Sequence, residues 1–386
     1  MKKIYLVYLI LCLGFPLHAE IENRDKPKYG KWDFRMKPMW TIDSAQEELF
    51  SLISIMKIHE NGKIYAFDYK NCKIYIFDSE SGGFLSSFGE KGQGPGEFNI
   101  VLNFYFYKDN LMVYDAGKIH YFSIAKNHDY IRSSILESPF GFPPTYFLDE
   151  NRYLSIPRDP SDPDAQKRAD IYDMIQKRST TLVGKPPSNK KKKQRSTGSG
   201  VMFISSGGSG KNEQSETSMI LGMKNDVIFY GINDQYLIKA VDLSGKELLS
   251  FSIKGRKRRK ISRAFKKKEG LKLKFNGMQL SPDMLKRFIG NIPDSSTYFF
   301  RIFVDDNGLI YTFVSDFENQ NKRIIDIFSP KGEYLYQAEL QVPQDHILRA
   351  SGFMFFHNSV FAVLEDPDGE IKLTKYQIDL PNPDKE

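Results

Sequence analysis

A short strand–turn–strand unit recurs along this 386-residue chain. Repetition at such a period constrains the fold more than any other feature, because each unit must bury its apolar surface against its neighbours. The clearest copy reads Asn61-Gly-Lys-Ile-Tyr-Ala-Phe-Asp68, then Lys73-Ile-Tyr-Ile-Phe-Asp78, then Gly83-Phe-Leu-Ser-Ser-Phe88. Each run is rich in β-branched and aromatic residues, and Gly, Asn, Asp or Ser turns separate them. With residues 52–58 ahead of them, they make four antiparallel strands in about 40 residues, the size of one propeller blade.

The two middle strands return at 111–115 with 119–122, at 227–230 with 237–242, at 307–313 with 323–328, and at 359–364 with 371–378. A weaker copy lies at 146–156. The second strands begin near Ile64, Leu111, Tyr153, Val227, Leu309 and Val360, so successive spacings are 47, 42, 74, 82 and 51. The two long intervals hold polar and basic sequence, which reads as insertions (about 157–218 and 254–293) and not as hidden blades. The expected fold is all-β: a six-bladed β-propeller of four-stranded antiparallel blades over residues 34–380. An N-terminal lead, 20–33, precedes it, and a tail, 381–386, follows. The last unit supplies three strands. Residues 35–42 are the expected fourth, and that pairing closes the ring and removes its open edges.

The stretch Phe88-Gly-Glu-Lys-Gly-Gln-Gly-Pro-Gly-Glu-Phe98 resembles the connector between successive NHL repeats, and Ile64-Tyr-Ala-Phe-Asp68 and Ile74-Tyr-Ile-Phe-Asp78 match that repeat's strands. The chain is thus similar to exported bacterial six-bladed propellers of the NHL type. The likeness is closest over 50–100, weaker over 305–340, and elsewhere only a strand pattern. Gly92, Gly94 and Gly96 are expected to bend the connector where a Cβ would not fit, with Pro95 stiffening it. A phosphate-binding role is set aside, because a strand-rich repeat follows this loop and not a helix.

Beside the repeat, the N-terminus carries an export pattern. Lys2 and Lys3 precede an apolar run over 4–15, and Leu17-His18-Ala19 gives a small-residue cleavage site. That run is shorter than the roughly 20 residues a membrane span needs. The expectation is therefore a signal peptide, 1–19, and a periplasmic or secreted mature chain. A rival reading, lipid anchoring at Cys12, is weakened by the large Leu11 before it. After cleavage Cys72 is the one remaining cysteine, so stability rests on core burial and not on disulfides.

Charge is concentrated in the second insertion. Residues 254–274 hold twelve Lys or Arg against the single Glu269, a balance of +11, whereas the whole chain is only +7. Arg256, Lys257, Arg258, Arg259, Lys260, Arg263, Lys266, Lys267 and Lys268 are the candidate anion-binding residues. Downstream, Ser281-Pro282-Asp283 is a helix start, with Met284, Leu285, Phe288 and Ile289 on one face. The resemblance implies two classes of function. One is a non-catalytic binding scaffold, monomeric, whose partner is an unknown protein, a glycan or another anionic envelope component. Nucleic acid is set aside for an exported chain. The other is a metal-dependent propeller hydrolase or lyase, whose axial ligands can be dispersed. The histidines left after cleavage are His59, His120, His128, His346 and His357, and no Ser-His-Asp set, Cys-His pair or HExxH motif joins them. Asp68 and Asp115 end equivalent strands, where a turn-forming role accounts for them. The scaffold reading is preferred, with no cofactor, catalytic residue or metal ligand assigned.

Overall fold

A computed structural model describes residues 20–115, 117–136, 144–157, 162, 164–186, 217–272, 274–275, 278–279, 281–316, 318, 322–341 and 346–381. The proposed signal peptide, Cys12, Lys190–Lys193, and residues 382–386 of the tail lie outside the described residues.

The chain is a six-bladed β-propeller. Blades one, two and three are the consecutive antiparallel sheets Ile53–Phe88, Val101–Ile135 and Tyr146–Val183, four strands each. Blades four and five run Met219–Ile253 and Phe299–Gln341, and blade six begins at Ile347. Strands three and four of blade three, Ala169–Asp173 and Arg178–Val183, fall inside the bounds of the first insertion, where residues 165–178 read as either a short helix or a strand of blade three. That insertion is therefore split around blade sequence.

Strand composition follows from position within a blade. The second and third strands of blade one, Lys63–Asp68 and Lys73–Asp78, are buried on both faces, so they read as continuous apolar runs. Their alternation sorts side chains between two interfaces. Ile64, Ala66, Tyr75 and Phe77 face blade six, whereas Tyr65, Phe67, Ile74 and Ile76 face blade two. The outer strand, Phe84–Phe88, alternates half-buried and exposed positions, as an edge should. Six such clusters follow one another around the ring.

Closure occurs where the sequence places it. Lys37–Ile42 pairs antiparallel with Ile371–Gln377 as the outermost strand of blade six. Thr41 and Thr374 share a hydroxyl hydrogen bond of 3.0 Å across this seam. Trp40 then ties the seam to blade one: its indole donates to the Glu80 carbonyl at 3.0 Å, and its ring meets Phe361.

The lead 20–33 differs from expectation, because it belongs to the propeller itself. Ile21–Asn23 adds a parallel fifth strand to blade four, and Lys31–Trp32 does the same for blade five. The blades are therefore not uniformly four-stranded. Asn23 fastens this belt, donating to the carbonyls of Ser252 and Gly332 and accepting from the Tyr334 amide. Parallel edge pairing uses backbone groups alone, so a polar segment can do it without an apolar pattern.

The glycine connector also works differently from the simple bend expected. Of Gly92, Gly94 and Gly96, only Gly96 has a left-handed φ, +82°. At Gly92 the constraint is space, since a Cβ would fall 1.9 Å from the Glu97 carboxylate, which accepts from the Gly94 amide. The most constrained glycine is Gly89, at φ +90°, where a Cβ would meet the Phe98 ring at 2.2 Å. The loop closes over Glu97 and drives Phe98 into the interface of blades one and two.

Candidate functional site

The carboxylates that end the second strands fasten the entrance of their own blades. Asp68 accepts from the amides of Ser51 and Leu52, which open blade one, and also from Lys70 and Asn71 in its own turn. Asp115 accepts from Asn99 and Ile100 at the entrance of blade two. In blade four Asn233 accepts from Ser218. These side chains satisfy backbone donors where the chain enters a new blade, a larger role than a local turn.

The histidines are dispersed. His59 Nδ1 accepts from the Asn61 amide, and His357 Nδ1 lies 2.9 Å from Asp306, a carboxylate also paired with Lys224. His120 is buried 3.7 Å from Asp115; desolvation lowers its pKa, and the Asp115 charge partly offsets that. His128 is buried on Tyr65, with its pKa pulled down to about 4 by burial. Among the described residues, no three His, Cys, Asp or Glu side chains gather where they could hold a metal ion. Cys72 is buried in the turn before the third strand of blade one.

The basic insertion lies between blades four and five and folds into two helices, α1 (Arg263–Lys272) and α2 (Pro282–Asn291). Ser281 caps α2 by accepting from the Met284 amide at 3.3 Å. Leu285 and Ile289 are half-buried, while Met284 stays 39% exposed.

The nine candidate cations divide into two groups. Arg256 is largely buried between Asp326, 3.0 Å away, and Asp25, with its guanidinium over the rings of Tyr236 and Tyr334. Burial disfavours its charge, but Asp326 and the two phenols outweigh that and raise its pKa. Asp326 also accepts from Tyr236, Tyr334 and Gln337. Arg259 pairs with Asp316 at 2.9 Å, and Lys266, nearly buried, bridges Asp294 and the Ile292 carbonyl. These three anchor the insertion. Lys257, Arg258, Lys260, Arg263, Lys267 and Lys268 are exposed and make no ion pair among the described residues.

Basic side chains also lie on the innermost strands, and sequence reasoning missed them. The first strand of each blade is its innermost: Ile53–Ile58, Val101–Tyr107, Tyr146–Phe147, Met219–Lys224, Phe299–Val304 and Ile347–Phe356. Among the residues whose side chains are described, these strands carry Lys57, Arg301 and Lys224, the last paired with Asp306, and no Asp or Glu. Several inner side chains lean on the next blade. The Lys57 ammonium lies 4.3 Å from the Tyr105 ring centroid and 5.6 Å from that of Phe104. Tyr105 donates to the Pro144 carbonyl, and Tyr146 to that of Leu221 at 3.4 Å. Arg301 donates to the Phe353 carbonyl at 2.5 Å. Lys57 keeps part of its surface open but sits deep within the ring, and burial pulls its pKa down to about 7.

A family model described as a 6-bladed beta-propeller, DUF5128, matches residues 41–209. No curated protein matches the chain. Among solved structures, a member of the DUF4221 family from Bacteroides vulgatus is 12% identical, with a TM-score of 0.55, over 90% of this chain and 98% of its own. A Bacteroides fragilis protein whose given name proposes export is 14% identical, with a TM-score of 0.51, over 94% and 99%. At such identities the likeness is one of fold. No helix among the described residues is long and apolar enough to cross a membrane. Strand order, family model and structural neighbours agree on one architecture, the six-bladed β-propeller.

Proposed function

We propose that the chain is an exported, non-catalytic binding propeller whose second insertion docks on an anionic surface of the cell envelope. One observation carries this reading: within a single basic run, Arg256, Arg259 and Lys266 are spent on anchoring, while six cations stand exposed on the element so anchored. A mobile charge run would need no such fastening. Cations held on a fixed scaffold lose less freedom on binding and present a standing positive field. Export, read from residues 1–19, places that field among anionic lipids and glycans.

The test must spare the anchors, because deleting 256–268 would also leave Asp326 buried without its partner. Lys257→Gln, Arg258→Gln, Lys260→Gln, Arg263→Gln, Lys267→Gln and Lys268→Gln are combined in one chain. Its sedimentation with anionic phospholipid vesicles, and its retention on an acidic polysaccharide, are compared with the parent. The expected result is loss of both or either in the variant, with its thermal midpoint unchanged. Equal retention of parent and variant, or retention by neither matrix, would refute the reading.

A further inference from the structure

We infer that the partner of the basic insertion is an anionic lipid bilayer, entered by Leu271 of α1 and Met284 of α2; this rests on the docking reading above. The two helices run antiparallel. Lys266, in the first turn of α1, bonds the Ile292 carbonyl and Asp294 just beyond the end of α2, and Lys260 bridges to Ser295. At the opposite end a short β-hairpin, Lys274–Phe275 with Met278–Gln279, joins α1 to α2. The anchors Arg256, Arg259 and Lys266 therefore lie at one end of the insertion, and Leu271 and Met284 at the other.

Both apolar side chains meet solvent there, Leu271 48% and Met284 39% exposed. Single exposed apolar side chains are ordinary on a protein surface. This pair differs in its setting, because the hairpin holds the two helix ends together and both helices carry cations beside them. Lys267 and Lys268 on α1, and Lys286 and Arg287 on α2, are exposed and make no ion pair among the described residues. An acidic polysaccharide would satisfy these cations and leave Leu271 and Met284 in water. A bilayer answers both, with headgroup phosphates for Lys and Arg and an acyl boundary for the apolar pair. Helices of ten residues are too short to span the hydrocarbon and suit the interface.

Vesicles of phosphatidylcholine and phosphatidylglycerol in equal parts are the probe, with dextran sulfate as an acidic polymer that lacks acyl chains. The parent is compared with a full chain carrying Leu271→Gln and Met284→Gln together. That variant should bind the vesicles about tenfold more weakly. Its retention on dextran sulfate and its thermal midpoint should match the parent. A second measurement stands even if the paired change disturbs folding. Met284→Trp places a fluorophore at the far end of the insertion, and vesicles with brominated acyl chains should quench it beyond the parent, whose Trp32 and Trp40 lie on the outer edges of blades five and six. Parent binding to dextran sulfate and not to vesicles would overturn the bilayer assignment and leave the anionic docking reading standing. Vesicle binding unchanged by the paired Gln variant, equal loss on both matrices, or an unquenched Met284→Trp chain would do the same. A six-site Gln variant that binds both matrices like the parent would refute the docking reading, and this inference with it.

Discussion

His128 stacks its ring on Phe88 and shares a hydrogen bond of 2.8 Å with the Tyr65 hydroxyl, all within the interface of blades one and two. Burial holds its pKa at about 4, below the ordinary 6.5. Between those values the unfolded chain binds the proton and the folded chain does not, so stability rises with pH across the window. The chain should therefore lose on the order of 2–3 kcal/mol between pH 7 and pH 4 through this residue alone. Urea unfolding at the two pH values, with His128→Phe as reference, measures it; an equal loss in the variant would assign the effect elsewhere. Lys57 follows the same logic with the same sign, since its depressed pKa likewise makes the protonated form a cost to the fold. Lys57→Met is expected to stabilise the chain at neutral pH by about 2 kcal/mol, discounted for partial exposure. A destabilised variant would mean that the aromatic contacts outweigh desolvation. At this scale the sequence was least informative. Asp68 and Asp115 look alike at the ends of their strands, yet their partners lie 15 to 17 residues upstream, and only pairing shows that.

Elements were more legible where burial is two-sided. The middle strands of each blade are pressed between neighbours, so their apolar runs announce themselves. The insertion between blades four and five was legible as a break and as charge, and the N-cap of α2 as a helix start. Which cations are anchors was not, because that depends on Asp326, Asp316 and Asp294, distant in sequence and near in the fold. The division is testable within one element. Arg256→Met leaves the fully buried Asp326 without its ion partner and should cost about 3 kcal/mol. Each of the six exposed cations, changed singly to Gln, should cost under about 0.5 kcal/mol. Thermal unfolding of the set distinguishes them; a neutral Arg256→Met would remove its anchoring role. The lead 20–33 was illegible for a different reason: edge strands of two or three residues leave no periodicity to read.

For the whole molecule, the ring depends on the segment that precedes it. Residues 20–42 pass along the outer edges of blades four and five and then complete blade six, while Trp40 reaches blade one. The glycine at 82 accommodates that indole, because a Cβ there would meet Trp40 at 2.8 Å. Trp40→Ala should cost about 2 kcal/mol, less than a fully buried Trp, and expose the seam first, seen as early hydrogen exchange in 371–377. Uniform exchange around all six blades would contradict a seam. Closure was readable from the missing strand of the last unit, whereas the contacts of the inner strands were not, since only the closed ring sets Lys57 on Tyr105 and Arg301 on the Phe353 carbonyl. The central claim is that this closed scaffold presents fixed positive charge to an anionic surface. Its most direct test is vesicle sedimentation of parent and six-site Gln variant as salt rises from about 0.1 M to about 1 M, where the screening length contracts from ~10 to ~3 Å. Parent binding is expected to fall steeply across that range, with the variant near the baseline throughout. Parent binding that is insensitive to salt, or a variant that follows the parent curve, would contradict it.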